Sequence, residues 1–212
     1  MYNYRYVTED RVKPLLEEVD RLLKCVYENI GDDIPFTYEV IGSVSRGMTT
    51  YDPSQNTGYD VDVNIIIEAK EYSPKEIRNM FRVAIDNATF RGCASDFNSH
   101  CEDSTRVLTI KNKDAHNASI KYSCDFAIVY YGKNGQEYIH YNKPHKRYYW
   151  NQQTKGFKNL EERADWLEKN GYWDEVLEDY LNRKNTNTVA EKHSRSLYAE
   201  TINNLYHFYN KN

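Results

Sequence analysis

The sequence predicts an α+β fold: a mixed β-sheet with flanking helices and a C-terminal helical region. Three observations carry this. Apolar residues recur at helical spacing in "TEDRVKPLLEEVDRLLKCVYENI". They alternate at strand spacing in "FTYEVIGS" and "YDVDVNIIIE". After Pro144 the strand signals give way to three helical patterns.

Each element follows from local chemistry. Thr8, Glu9 and Asp10 open the first helix, and Leu15, Leu16, Val19, Leu22, Leu23, Val26 and Tyr27 form its apolar stripe. Gly31 ends it. "FTYEVIGS" is a strand running into a turn at Gly42. "TTYDPSQNTGY" is a loop, since Pro53 and Gly58 stand among small polar residues. "YDVDVNIIIE" is the next strand. "SPKEIRNMFRVAIDNATF" is a helix capped by Ser73, with Pro74 in its first turn and Ile77, Met80, Phe81, Ala84, Ile85 and Ala88 facing inward. "RVLTIKN" and "ASIKYSCDFAIVYY" are strands around a "KDAHN" turn, and "KNG" turns the chain into the strand "QEYIHYN". The tail holds "KNLEERADWLEKN", "YWDEVLEDYLNRKN" and "VAEKHSRSLYAETINNLYHFYN", broken by Gly171 and "NTNT". The expected division is residues 1–145 for the sheet and its helices and residues 146–212 for the helical region.

Composition narrows the function. The 212 residues carry a net charge of −4, with 28% charged and 40% apolar residues, which excludes a disordered chain. A mildly acidic protein lacks a strong nucleic-acid patch. One phosphate site needs only a few donors and a cation, so a nucleotide ligand stays open. No stretch reaches the roughly 20 apolar residues of a membrane span, and the N-terminus lacks a signal-peptide core. Cys25, Cys93, Cys101 and Cys124 form no C-x-x-C pair, so they are expected as reduced thiols in a cytoplasmic protein.

The chemistry concentrates in acids placed on strands. In "YDVDVNIII", Val61, Val63, Ile65 and Ile67 share one face, and Asp60, Asp62 and Asn64 share the other. Carboxylates at i and i+2 lie roughly 6–7 Å apart, a spacing that suits two bridged metal ions. A solvated strand face gives the same alternation. Aspartate disfavours strands, however, and Asp125 sits among Cys124, Phe126, Ala127, Ile128 and Val129. A carboxylate in such apolar company needs a partner, and a cation supplies one. In "VIGSVSRG", Gly42 lets backbone approach a phosphate, Ser43 adds a hydroxyl, and Arg46 offers positive charge.

A strand ending in Gly42-Ser43, a strand with Asp60-x-Asp62 and a later strand with Asp125 together resemble the polymerase-β nucleotidyltransferase superfamily. The pattern is closest to the bacterial cGAS/DncV-like members. The motifs cover Phe36 to Asn142, and the helical tail is matched by position only. The resemblance implies that Asp60, Asp62 and Asp125 are catalytic and hold two Mg²⁺ ions, with Mn²⁺ as an alternative. It implies that Gly42 and Ser43 grip the β- and γ-phosphates of an NTP. It implies transfer of NMP to an acceptor hydroxyl of a nucleotide, an RNA or a protein, with release of pyrophosphate, and it leaves room for a cyclic oligonucleotide product. Residues 1–145 would then be the catalytic core, with residues 146–212 closing the cleft. In the tail, Lys192 and Ser194 would reach the triphosphate and Tyr198 would stack on the base. The same tail also reads as a solvated helix backed by Leu197, Ile202 and Leu205. The long Gly-Ser to Asp-x-Asp connection departs from the family pattern, and the tail is short for an enzyme that cyclises two nucleotides.

Other readings fall behind. Zinc at Cys93, His100 and Cys101 lacks a fourth ligand. His140 and His145 have no nucleophile beside them in sequence. "KPHKRYYW" is a basic-aromatic cluster that reads as a solvated edge. A two-carboxylate glycosidase has no use for the Gly-Ser turn. The alternative from a different class is a catalytically weak nucleotide-binding sensor, or an antitoxin-like partner protein, on the same fold.

Overall fold

The computed structural model describes residues 2–55, 58–153, 159–189 and 192–210. In chain order its elements are β1 (Arg5–Tyr6), α1 (Glu9–Ile30), β2 (Phe36–Ile41), α2 (Gly42–Ser45), β3 (Thr50–Tyr51), β4 (Tyr59–Ile67), α3 (Pro74–Phe90) and β5 (Glu102–Asp103). There follow β6 (Leu108–Lys113), β7 (Ile120–Gly132), β8 (Gly135–Asn142), β9 (Arg147–Gln152), α4 (Leu160–Lys169), α5 (Trp173–Thr186) and α6 (Ser194–Tyr209). The chain separates into two units. The sheet unit is Val7–Tyr51 with Gln55–Gln153, and the helical unit is Met1–Tyr6, Asp52–Ser54 and Thr154–Asn212. The expected loop covers Asn56 and Thr57, and the tail patterns cover Lys158, Ala190 and Glu191; these five lie outside the described residues.

In the sheet unit the strand order is β2-β4-β7-β6-β5, and β8 joins the far half of β7 and carries β9. β4 and β7 run parallel at the centre, while β2, β6 and β8 pair antiparallel with them. β7 spans 13 residues because it serves two partners on one edge. Its first half pairs with β6 through Phe126, and its second half pairs with β8 from Val129 onward.

One face of this sheet is the core. Val61, Val63, Ile65, Ile67, Cys124, Phe126, Ile128, Leu108 and Ile110 are buried there, against Leu15, Val19, Leu22, Leu23 and Val26 of α1 and Ile77, Phe81, Ala84, Ile85 and Ala88 of α3. Burying each large aliphatic contributes roughly 1.5–3 kcal/mol, so this face holds the unit together. The stripe expected on α1 is buried except at its edges, where Leu16 is half-buried and Tyr27 exposed. Ser73 caps α3 with a full capping box, its Oγ accepting from Glu76 N and Glu76 accepting from Ser73 N. The opposite face of the sheet carries Asp60, Asp62 and Asp125.

The helical unit packs aromatic residues between its helices. Tyr172 and Tyr209 stack at 3.8 Å, Trp166 meets Tyr206 edge-on at 5.3 Å, and Arg163 lies over Tyr206 at 5.1 Å. The N-terminal residues join this unit through Tyr4, whose N–H donates to Asn185 Oδ1 at 2.6 Å, and Tyr6, whose hydroxyl donates to Leu177 O at 2.7 Å. The last helix begins at Ser194 rather than at Val189. "KPHKRYYW" contributes to β9, the outermost strand beyond β8.

The thiols depart from expectation. Cys25 of α1 and Cys93, just past α3, form a disulfide with Cα atoms 6.4 Å apart. The sequence lacked any cue, because helix packing, not spacing, brings residues 68 apart together. Cys93 is thereby removed from any zinc site, and the thiol argument for a cytoplasmic setting falls away. Cys101 and Cys124 are free and buried. Closing so long a loop should stabilise the fold by about 2–4 kcal/mol. Cys25→Ser is therefore expected to melt several degrees below the oxidised protein, and a thiol reductant should bring the parent to the variant's midpoint. Equal midpoints in all three states would show that no bridge forms in solution.

Candidate functional site

The geometry of the acid face starts from register. Asp62 of β4 lies beside Asp125 of β7, and Asp60 beside Ser123. Partners in register on adjacent strands present side chains to the same face, so the three acids share it. Thr109 of β6 is the cross-strand partner of Asp125, and its hydroxyl donates to Asp125 Oδ1 at 2.5 Å. Ser123 donates its hydroxyl to Asp60 Oδ1. Asn64, next along the polar face, is tied elsewhere, its Nδ2 donating to Glu39 Oε1 at 2.9 Å.

The turn meets the acids through the other edge of β4. Ile41, the last residue of β2, is the partner of Asp62, so the chain leaves the strand at Gly42 directly beside that carboxylate. Gly42 has φ +77, and a Cβ built on it would lie 2.3 Å from Asp62 Oδ2. Only a residue without a side chain allows this approach. Gly42–Ser45 forms one turn of helix, with Ser45 Oγ donating to Gly42 O at 3.0 Å and Met48 N to Ser43 O at 2.8 Å. Ser43 Oγ lies 3.4 Å from Thr49 Oγ1.

Charge is concentrated here. Burial, then Asp125 and Asp60, push the Asp62 carboxyl up to about 6, and the Arg46 and Arg106 charges pull it partly back. Burial also raises Asp125, with the Thr109 hydrogen bond opposing and Asp60 adding to the rise. Like charges on a half-buried face make the doubly ionised state costly without a cation. The donors are all carboxylate oxygens, the ligand class of Mg²⁺ and Mn²⁺ rather than of zinc. Among the described residues, no group of three His, Cys, Asp or Glu side chains already stands at metal-holding geometry. Asp60 and Asp125 are instead turned toward the Ser123 and Thr109 hydroxyls. The donor set and its charge therefore fit a divalent cation, with side chains that would have to rotate onto it.

Asp60, Asp62, Asp125, Gly42 and Ser43 are thus brought together within the sheet unit, and Arg46 is near enough for its charge to act on Asp62. Lys192, Ser194 and Tyr198 belong to the helical unit. There Lys192 pairs with Glu200 at 2.7 Å, Ser194 starts α6, and Tyr198 is 8% exposed with its ring edge-on to Tyr180. Sequence reasoning passed over Thr109, Ser123 and Arg106. Thr109 and Ser123 were visible in principle as the polar alternates of their strands. Arg106 carried no signal.

Neither family models nor curated proteins match the sequence. Solved structures match its fold. Vibrio cholerae DncV cyclic AMP-GMP synthase in complex with nonhydrolyzable GTP gives a TM-score of 0.55 at 15% identity, over 88% of this chain and 51% of that one. E. coli MS115-1 CdnC, solved with ATP, gives 0.52 at 13% identity, over 94% and 62%. The Bradyrhizobium diazoefficiens CD-NTase CdnG in complex with GTP gives 0.50 at 13% identity, over 84% and 43%. The chain has the cGAS/DncV-like nucleotidyltransferase fold, and it spans about half the length of the structures it matches. Among the described residues no helix is long and apolar enough to cross a membrane.

Proposed function

We propose that this protein is a divalent-cation-dependent nucleotidyltransferase that moves NMP from an NTP to an acceptor hydroxyl and releases pyrophosphate. One observation carries the reading: Asp62 and Asp125 lie side by side on the two central parallel strands, with Gly42 backbone against the Asp62 carboxylate. The fold supports it, since the structures it matches include DncV in complex with the linear intermediate pppA(3′,5′)pG, and CdnC with ATP.

In this reading Asp60, Asp62 and Asp125 hold Mg²⁺, or Mn²⁺ in its place. When bound, the metal neutralises phosphate charge and lowers the acceptor hydroxyl's pKa. Asp125, whose ionised form the Thr109 hydrogen bond favours, would take the acceptor proton. Gly42 brings backbone close to the phosphates, and the Ser43 hydroxyl donates to them. Arg46 adds charge that opposes repulsion between triphosphate and acids. The acceptor is a hydroxyl of a nucleotide, an RNA or a protein, and the setting we propose is cytoplasmic.

A second reading, a nucleotide-binding sensor with little turnover, is favoured by the tail. Lys192 is already paired with Glu200, and Tyr198 is buried. The test is incubation of the protein with each labelled NTP and Mg²⁺, following pyrophosphate and separating linear from cyclic products. Pyrophosphate release that Asp125→Asn cuts at least about 100-fold supports the enzyme. NTP binding with background release in both proteins would establish the sensor instead.

A further inference from the structure

Arg78 is a charged residue sealed in the apolar layer. It lies on α3 between Ile77 and the rest of the core stripe, 1% exposed. A buried guanidinium is tolerated only when its N–H groups are satisfied. Its Nε donates to Asp103 Oδ1 at 3.0 Å, and Nη2 lies 2.8 Å from the same carboxylate. Nη2 also donates to Ser104 O at 2.9 Å and Val107 O at 2.7 Å, and Nη1 donates to Arg106 O at 2.8 Å and Ile139 O at 3.4 Å. Most of these acceptors lie in one segment, 103–107, between β5 and β6.

That segment is fixed from other sides too. The Tyr148 hydroxyl donates to Asp103 Oδ2 at 2.7 Å, and Tyr141 N donates to Thr105 O at 2.7 Å. Its one long polar side chain, Arg106, leaves toward the acid face. The Arg106 guanidinium lies 4.1 Å over the ring of Tyr138, which pairs with Val129 and so shares a face with Asp125. Its Nη2 donates to the neutral Gln153 Oε1 at 2.5 Å, and among the described residues no carboxylate forms an ion pair with it. Held against the Tyr138 ring and paired with a neutral amide rather than a carboxylate, the guanidinium keeps its full charge and further N–H donors, the equipment that takes a phosphate oxygen. Its charge already reaches Asp62.

We infer that Arg106 binds phosphate oxygens of the nucleotide on the acid face, and that buried Arg78 is the positioning residue that fixes Arg106 there. This rests on the nucleotidyltransferase reading. Arg78 itself touches no ligand. It acts by clamping the carbonyls of the turn from which Arg106 projects.

The test is equilibrium binding of a nonhydrolysable NTP with Mg²⁺ to the full chain, alongside melting curves. Arg106→Gln is expected to weaken binding about 10-fold or more, as loss of a charged hydrogen-bond pair does, with little change in melting. Arg106→Lys should recover part of the loss, because it restores the charge without the fork. Arg78→Lys should weaken binding in the parent and add no further loss in the Arg106→Gln background, the coupling expected when one residue works through the other. Equal penalties for Arg78→Lys in both backgrounds would reduce Arg78 to a stability role and overturn its assignment. If Arg78→Lys does not fold, Arg106→Gln decides alone: unchanged affinity overturns the inference and leaves the nucleotidyltransferase reading standing. Failure of the parent protein to bind the analogue at all would overturn both.

Discussion

Asp62→Asn is expected to make the metal-free protein more stable at pH 7–8 while abolishing nucleotidyl transfer. The sign follows from the folded-state carboxyl, which is raised to about 6 by burial and by Asp125 and Asp60. A raised carboxyl stabilises the fold when it is protonated, and that stability is lost as pH climbs from its unfolded value, near 4, through about 6. Above pH 7 the ionised group costs up to about 3 kcal/mol relative to the protonated state. Asparagine is neutral throughout, so the variant escapes this cost at pH 7.5 and has no advantage at pH 4. Magnesium should raise the melting point of the parent strongly and of the variant little. Transfer should fall by at least about 10³-fold, since in the proposed function Asp62 is one of the three carboxylates that would hold the divalent cation. Melting curves from pH 4 to 8, with and without Mg²⁺, check the claim. A variant that melts below its parent at pH 7.5 without metal, or equal metal stabilisation of both, would sink it.

The acid face was legible because strand alternation is a local signal. Val61, Val63, Ile65 and Ile67 fix one face, so Asp60 and Asp62 must take the other. Asp125 was legible as an acid in apolar company. What the sequence could not state was register. That Asp62 falls beside Asp125, and that Ile41 ends β2 beside Asp62, depends on how the strands slide against each other. Arg78 was invisible for a related reason. On a helix it reads as an ordinary charged residue, and only the distant carbonyls of Ser104, Arg106, Val107 and Ile139 make its burial tolerable. The Cys25–Cys93 bridge likewise needs the packing of α1 and α3. In the tail, helical spacing was plain, yet the surroundings of Lys192 and Tyr198 were not. Glu200 of α6 occupies Lys192, which lies just before that helix, and Tyr180 from another helix meets Tyr198.

The proposed function of this face therefore depends on backbone as much as on acids, which makes a paired glycine experiment decisive. Gly42 and Gly47 flank the same short turn, with φ of +77 and +65. Alanine at either position meets the same left-handed strain, about 1 kcal/mol, which lowers melting by a few degrees in a chain of this size. Their surroundings differ. A Cβ at Gly47 meets nothing within 4 Å, whereas one at Gly42 falls 2.3 Å from Asp62 Oδ2 and 3.2 Å from Asp62 Cβ. The strand register holds Asp62 in place through its pairing with Ile41, so the carboxylate or the turn must shift. A displacement of that order at a reacting centre costs about 100-fold or more in rate. Gly47→Ala should thus keep most transfer activity and Gly42→Ala should lose nearly all of it, although both melt lower than the parent. Loss of activity in equal measure from the two variants would place the effect in turn strain alone, and would detach Gly42 from the acid pair.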